Sequence, residues 1–400
     1  MKPNNQLLRF LSFFGLFLTV LCTPLLAARQ DTANRPQVYD NPDSLLCHVV
    51  EAINRNQFAT ADQIINAQLQ QDGDSLKWCF LRGMRHYGDL FAAAHPIDKT
   101  ALEALAFNLS RVAAIADERL SINPNDSLGL FYGGGAYGYL GIAYASDGSM
   151  FKAVSTAKKG AKYHERLISL HADCYDAYLG PGLMNLMTSA APWILKPILF
   201  LLGLSGTEDK ADEYLSLAYA KGTRVRYEAG QYLAQLRLRQ KDYPKAFELY
   251  SNLTTEYPMR VGLRAEYLSS LFSDKRHDDI IKITSETMDS FEASRYSFSR
   301  NDSAWIPYIF WDCAQAFQLT GNPRAAIQTW KRFLGGKPYD SQSKWRAYDS
   351  LIDLYLSIKD TALAIESFEA LNASDAPPKV KDRARERIAV LPQAQNHPAP

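Results

Sequence analysis

Residues 227–260, YEAGQYLAQLRLRQKDYPKAFELYSNLTTEYPMR, decide the fold. Their apolar side chains recur every three or four positions, which is helical and not strand spacing, and the pattern breaks once, at Lys241-Asp242. Two helices therefore meet at a turn. Ala246 is followed four residues on by Tyr250 and twelve on by Pro258, and is preceded at twelve and thirteen by Ala234 and Leu233. The same offsets from Ala326 reach Trp330, Pro338, Ala314 and Cys313, and those from Ala364 reach Phe368, Ala376 (next to Pro377), Ile352 and Leu351. Gly321-Asn322 and Lys359-Asp360 mark the matching turns. Small residues where two helices approach, an aromatic to fill the gap and a proline where the second helix stops are what stacked helix hairpins require.

These offsets resemble the tetratricopeptide repeat. The match is strongest over 227–260 and 307–340, carries to 345–378, and fades over 261–290, where Leu268 and Ile280 take the small-residue places. A unit around Val49, Ala61 and Ile65 is a degenerate version. Valine-rich alternating runs are missing from residue 44 onward, so the expected fold is all-α, a solenoid of stacked antiparallel helix pairs with an irregular helical middle. In that middle, 123–222, a Gly-rich helix (128–145) precedes a long one (150–170), then an LGPG turn, then the apolar segment 191–204 ending in Gly-Leu-Ser-Gly. This order, over 125–375, is similar to the tetratricopeptide-repeat-39 or inclusion-body-clearance family, and the resemblance implies a non-enzymatic helical scaffold.

The N-terminus reads differently. Lys2 and Arg9 precede an apolar stretch, 10–28, that ends Leu-Leu-Ala-Ala, the pattern of a cleaved secretory signal, with an uncleaved anchor as the alternative. Residues 29–43 read as a linker, 44–122 as an N-terminal helical region, 223–378 as the repeat array and 379–400 as a terminal helix and disordered tail. The expected location is outside the cytoplasm, in the periplasm or at the periphery of an outer membrane. Four cysteines follow the signal, Cys47, Cys79, Cys174 and Cys313, with no metal-type spacing; buried thiols fit their apolar surroundings better than disulfides, although pairing stays open.

Apolar residues make up 47% of the chain, too many for a largely disordered protein, and 44 basic against 43 acidic residues leave no field to draw nucleic acid. No residue qualifies as catalytic, cofactor-binding or metal-binding. Gly133-Gly134-Gly135-Ala136-Tyr137-Gly138 satisfies GxGxxG, but no βαβ unit surrounds it. Gly134, Gly138 and Gly141 share one helix face instead and admit a neighbouring helix, so a leucine at Gly138 is expected to overpack. Ser155-Thr156-Ala157-Lys158 spells SxxK without its companion motifs. His164 and His171 share a helix face but lack a third ligand.

Tetratricopeptide arrays bind partners along the concave face built by the first helix of each repeat. Carried onto matching positions, the family's groove places fall on Glu228, Gln231, Gln235 and Leu238, then Tyr308, Trp311, Gln315 and Gln318, then Arg346, Asp349, Asp353 and Leu356. Lys and Asn of the carboxylate-clamp type are absent from them, so an extended protein or peptide segment is the expected partner. The apolar segment, with Trp193, Ile198, Phe200 and Leu201, is either core or an exposed lid or wedge, through which the chain would take an apolar small molecule or touch a membrane peripherally. A cell-envelope hydrolase remains a further alternative.

Overall fold

The computed structural model describes residues 44–54, 57–72, 75–90, 99–194, 196–201, 203–258, 260–294, 300–336 and 341–390. The signal-like stretch, the linker and Pro338 lie outside them. Among the described residues there is no strand, and none of the helices is long and apolar enough to cross a membrane. The chain divides into two compact units, 1–259 and 260–400, and the division falls inside the repeat array read from the sequence.

In the first unit, helices α1 (Ser44–Asn54) and α2 (Phe58–Gln71), α3 (Leu76–Leu90) and α4 (Lys99–Ile122), and α5 (Ser127–Ser146) and α6 (Met150–Leu170) pack as successive hairpins. A 3-10 turn (Tyr175–Tyr178) leads into α7 (Leu179–Ala190), the short α8 (Lys196–Leu201) and α9 (Glu208–Lys221); α7 pairs with α9, leaving α8 as an insert. The hairpin of α10 (Arg226–Arg239) and α11 (Tyr243–Glu256) closes the unit. The middle region expected to be irregular is thus two further hairpins with one interruption. Each second helix also packs on the first helix of the next hairpin, and first helices touch one another in order. This is the connectivity of tetratricopeptide-type repeats.

The second unit repeats the plan: α12 (Val261–Ser273) with α13 (His277–Ser294), α14 (Arg300–Leu319) with α15 (Pro323–Gly335), α16 (Ser341–Ser357) with α17 (Thr361–Ala373), and a terminal α18 (Pro378–Ala389). The residues that gave the repeat its register occupy the seams. Ala234, Ala246, Ala314, Ala326 and Ala364 are fully buried, Tyr250 and Trp330 fill the gaps beside them, and Leu268 and Ile280 do the same work in the weakest repeat.

One backbone device recurs at four turns of the repeat array. Lys241, Lys275, Gly321 and Lys359 all take a left-handed conformation, with φ of 61°, 62°, 75° and 64°. The next residue's N–H reaches back five places in each case, as from Asp242 to Arg237 O at 2.8 Å and from Asp360 to Tyr355 O at 2.9 Å. These are helix ends closed by a Schellman-type bond, where glycine is the unstrained choice. Asn322 and Asp360 then cap the following helices, accepting from Ala325 N at 3.3 Å and Leu363 N at 3.2 Å.

The glycines of α5 are packing residues, as their spacing implied, but not in the way expected of Gly138. A Cβ on Gly138 would meet nothing within 4 Å. The tight partner is Gly160 of α6, whose Cβ would lie 2.6 Å from Gly134 O and 2.8 Å from the Gly138 nitrogen. Helix α6 thus presses its own glycine onto the α5 backbone, and the outward direction of Gly138 stays clear. Gly141 is closed by Ala157, 2.9 Å from its virtual Cβ.

Candidate functional site

The first helices of the five hairpins in the first unit converge on one pocket of about 120 Å3. Leu46, Val50 and Ile53 of α1, Phe80 and Met84 of α3, Phe131, Tyr132 and Tyr139 of α5, and Leu179 of α7 form its apolar walls. Phe80 meets Tyr132 edge to face, with centroids 5.7 Å apart, and Tyr87 meets Tyr139 at 5.0 Å, so the aromatic wall is held by its own contacts. Its size compares with the roughly 150 Å3 apolar cavity that accommodates benzene.

His164, Asp176, Arg224 and Glu228 make the polar end. Asp176 is buried and accepts from Thr223 N at 2.7 Å, Arg224 N at 2.9 Å and Thr223 Oγ1 at 3.1 Å, which pins the start of α10 to the 3-10 turn. The Arg224 guanidinium lies 5.3 Å from the Phe131 ring centre. His164 reaches in from α6 between two glycines: a Cβ on Gly134 would overlap the imidazole, and one on Gly180 would lie 2.6 Å from Nδ1. The Nε2–H donates to Phe131 O at 3.0 Å, and burial pushes the ring's pKa down, so His164 is neutral with Nδ1 as an acceptor.

Asp176 lies close enough to both His164 and Cys174 to influence each electrostatically, yet the three do not form a nucleophilic triad. Burial first, and then the Asp176 charge, push the Cys174 thiol up to about 12, so it stays protonated where a nucleophile needs a thiolate. Cys79 and Cys313 are buried as well, and burial raises Cys313 to about 11. The Cys47 side chain lies outside the described residues. Ser155 of the SxxK run donates to Lys152 O at 3.1 Å on an exposed helix face. Among the described residues no three His, Cys, Asp or Glu side chains are grouped as metal ligands.

The groove positions carried over from the repeat resemblance are scattered. Glu228 and Gln231 are buried, because α10 is covered by α7, α9 and α11 and its residues 227–234 are buried without a break; of the four on this helix, Glu228 alone lines the pocket. Gln235 and Leu238 are half-buried. In the second unit Tyr308 and Trp311 pack edge to face on Phe333, at 5.8 and 5.2 Å, Trp311 also meets Trp330 at 5.0 Å, and Gln318 Oε1 accepts from Trp330 Nε1 at 3.0 Å. These are hairpin seams. Gln315 is half-buried, and Leu356 joins two apolar clusters. Asp349 is bonded by Arg383 at 2.9 Å and by Arg387, which also holds Asp353. Arg346 alone of the twelve is exposed without such a role. The reason is register: residues spaced three and four apart on α16 face α18, whose Arg383 and Arg387 are themselves four apart.

The pocket residues from α1, α3 and α5 were missed, since nothing in the sequence ties Leu46 to Phe80 or Arg224. A partial signal existed in Asp176 and Arg224, charges set among apolar helices. In the apolar segment, Trp193, Phe200 and Leu201 are 74%, 72% and 84% exposed, so these three are not core. The Ile198 side chain lies outside the described residues.

No family model matches the sequence, and no curated protein matches it. Among solved structures, the Cut9–Hcn1 hetero-tetramer of the APC/C aligns over 86% of this chain and 55% of that chain, at 15% identity and a TM-score of 0.47. This chain thus spans little more than half the length of that structure. PilF of Pseudomonas aeruginosa aligns over 63% of this chain and 96% of its own, at 14% identity and 0.40. A tetratricopeptide repeat protein from Parabacteroides merdae aligns over 73% and 94%, at 11% and 0.36. The hairpin register and the order of helix contacts give this chain an all-α helical-repeat fold of tetratricopeptide-like architecture.

Proposed function

We propose that this chain is an exported, non-enzymatic scaffold that holds an extended segment of a partner protein against the first-helix face of its N-terminal unit, with one apolar side chain seated in the pocket. The observation that carries this reading is that five successive first helices contribute to a single cavity. A face built from five consecutive hairpins suits an extended ligand, and an aromatic-walled pocket on it suits a buried anchor residue. Arg224 and Glu228 at the polar end of the pocket stand where the backbone of a bound segment would pass beside that anchor. Export rests on the signal-like residues 1–28. Absence of catalysis is favoured by the protonated thiol of Cys174 and by the use of His164 Nε2 in a backbone bond.

Selection of peptides from a displayed random library tests the reading. Selected sequences are expected to share one large apolar residue and to bind Gly135→Leu at least about tenfold more weakly, near 1.4 kcal/mol, because a side chain there runs into Phe80, 3.0 Å from the virtual Cβ. Peptides without an apolar anchor, or unchanged binding by a folded Gly135→Leu protein, would refute it.

A further inference from the structure

The loop that carries α8 is built to expose what proteins ordinarily bury. Ala191 and Leu204 at its two ends are in the core. Leu204 N bonds Leu199 O and Gly203 N bonds Phe200 O, both at 2.8 Å, and Gly203 takes a φ of 64° that ends the helix. Gly206 is wedged against the Asn185 backbone, its virtual Cβ 2.7 Å from the Asn185 Cα, while Asn185 Oδ1 accepts from Thr207 N at 3.3 Å. A segment fixed at both ends nevertheless turns Trp193, Ile194, Phe200 and Leu201 to solvent.

The loop itself carries charge of one sign. No acidic residue occurs between Asp176 and Glu208, and α8 carries Lys196. The ammonium of Lys158 on α6 lies 2.8 Å from the virtual Cβ of Gly203, and Lys162 follows one helical turn along the same face of α6. The first acidic residue beyond Gly148 on that helix is Glu165.

We propose that this loop docks the protein on the surface of an anionic lipid bilayer, with Trp193, Phe200 and Leu201 inserted among the acyl chains and Lys158, Lys162 and Lys196 at the headgroups. Three features favour lipid over a protein partner. The helix is far too short to span a bilayer and so lies in the interface. Tryptophan beside aliphatic side chains is the composition of that interface. Lysine, which protein interfaces avoid, suits a headgroup layer. The inference rests on the loop alone, and the pocket reading can fail without affecting it.

Protein recovered after export is mixed with vesicles of phosphatidylcholine alone or with 30% phosphatidylglycerol. Trp193 fluorescence, isolated by subtracting the Trp193→Phe variant, is expected to shift blue and to be quenched by brominated chains in the anionic vesicles. Phe200→Ser/Leu201→Ser is expected to lower partitioning at least tenfold with an unchanged circular-dichroism spectrum, and Lys158→Gln/Lys196→Gln to remove the preference for phosphatidylglycerol. A Trp193 signal indifferent to anionic vesicles overturns the proposal, whatever the rest of the chain does. So does a sedimentation result in which Phe200→Ser/Leu201→Ser dissolves a dimer while vesicles are ignored, since the face would then belong to a second copy of this chain.

Discussion

Three glycines on the α5–α6 seam give alanine substitutions of opposite sign. Replacing a helical glycine by alanine is worth about 0.8–1 kcal/mol when the methyl meets nothing. At Gly138 nothing lies within 4 Å, so Gly138→Ala is expected to stabilise by about that amount. At Gly134 the same gain is set against overlap with the His164 ring, which cannot retreat because Gly180 closes its other side and Phe131 O holds Nε2. Overpacking of about 1–3 kcal/mol and a weakened hydrogen bond of about 1 kcal/mol leave a net loss of about 1–3 kcal/mol. At Gly160 the obstacles are backbone atoms at 2.6 and 2.8 Å, which no rotamer change can move, so the helices must part along the seam and the loss is about 3 kcal/mol or more. Urea unfolding followed at 222 nm, with slopes compared to keep the reference states equal, measures all three. Combining Gly134→Ala with His164→Ala should recover at least about 1 kcal/mol relative to additivity, because the clash disappears with the ring. Gly138→Ala and Gly160→Ala agreeing within about 0.5 kcal/mol, or strict additivity of the Gly134/His164 pair, would show that the seam is not packed as described.

Burial alone pushes Asp312 up to about 7, so its unfolded form releases a proton that the folded form keeps; stability is full near pH 4 and declines as the pH rises through 7. Asp312→Asn should flatten that dependence and stabilise the protein at pH 8 by up to about 4 kcal/mol, read from urea midpoints at both pH values. Lys275→Gly relieves a left-handed backbone and should add about 0.5–1 kcal/mol, whereas Gly321→Lys at the equivalent turn should remove about 1 kcal/mol, both visible as shifts in thermal midpoint. Arg387→Ala deletes two of the three arginine bonds that fasten α18 to α16, leaving only Arg383 on Asp349, and amide exchange in α18 should accelerate about tenfold or more while α15 keeps its protection.

The hairpin register was legible because it is local. Ala246, Ala326 and Ala364, their aromatic followers and the turns at Lys241, Gly321 and Lys359 each sit within one repeat, and the three alanines lie at buried seams. The helices 127–146 and 150–170 fell within two residues of their expected ends, capped by Asp126 and closed at Gly148. The groove was not legible. A family register says which residues face the inner side of an ideal array, but whether that side is open depends on what lies across it, and α18 and the tight packing around α10 cover it here.

The sequence by itself determined the helical class, the hairpin period and the places where glycine or alanine must stand, since these follow from backbone sterics and short-range spacing. Only the tertiary structure decided that Gly160, and not Gly138, fills the close approach, that α1, α3, α5, α7 and α10 pool their side chains into one pocket, and that Trp193, Phe200 and Leu201 face solvent. The physical reason is common to all three. Direction and exposure are properties of neighbours brought together from distant parts of the chain, and no interval along the sequence records them.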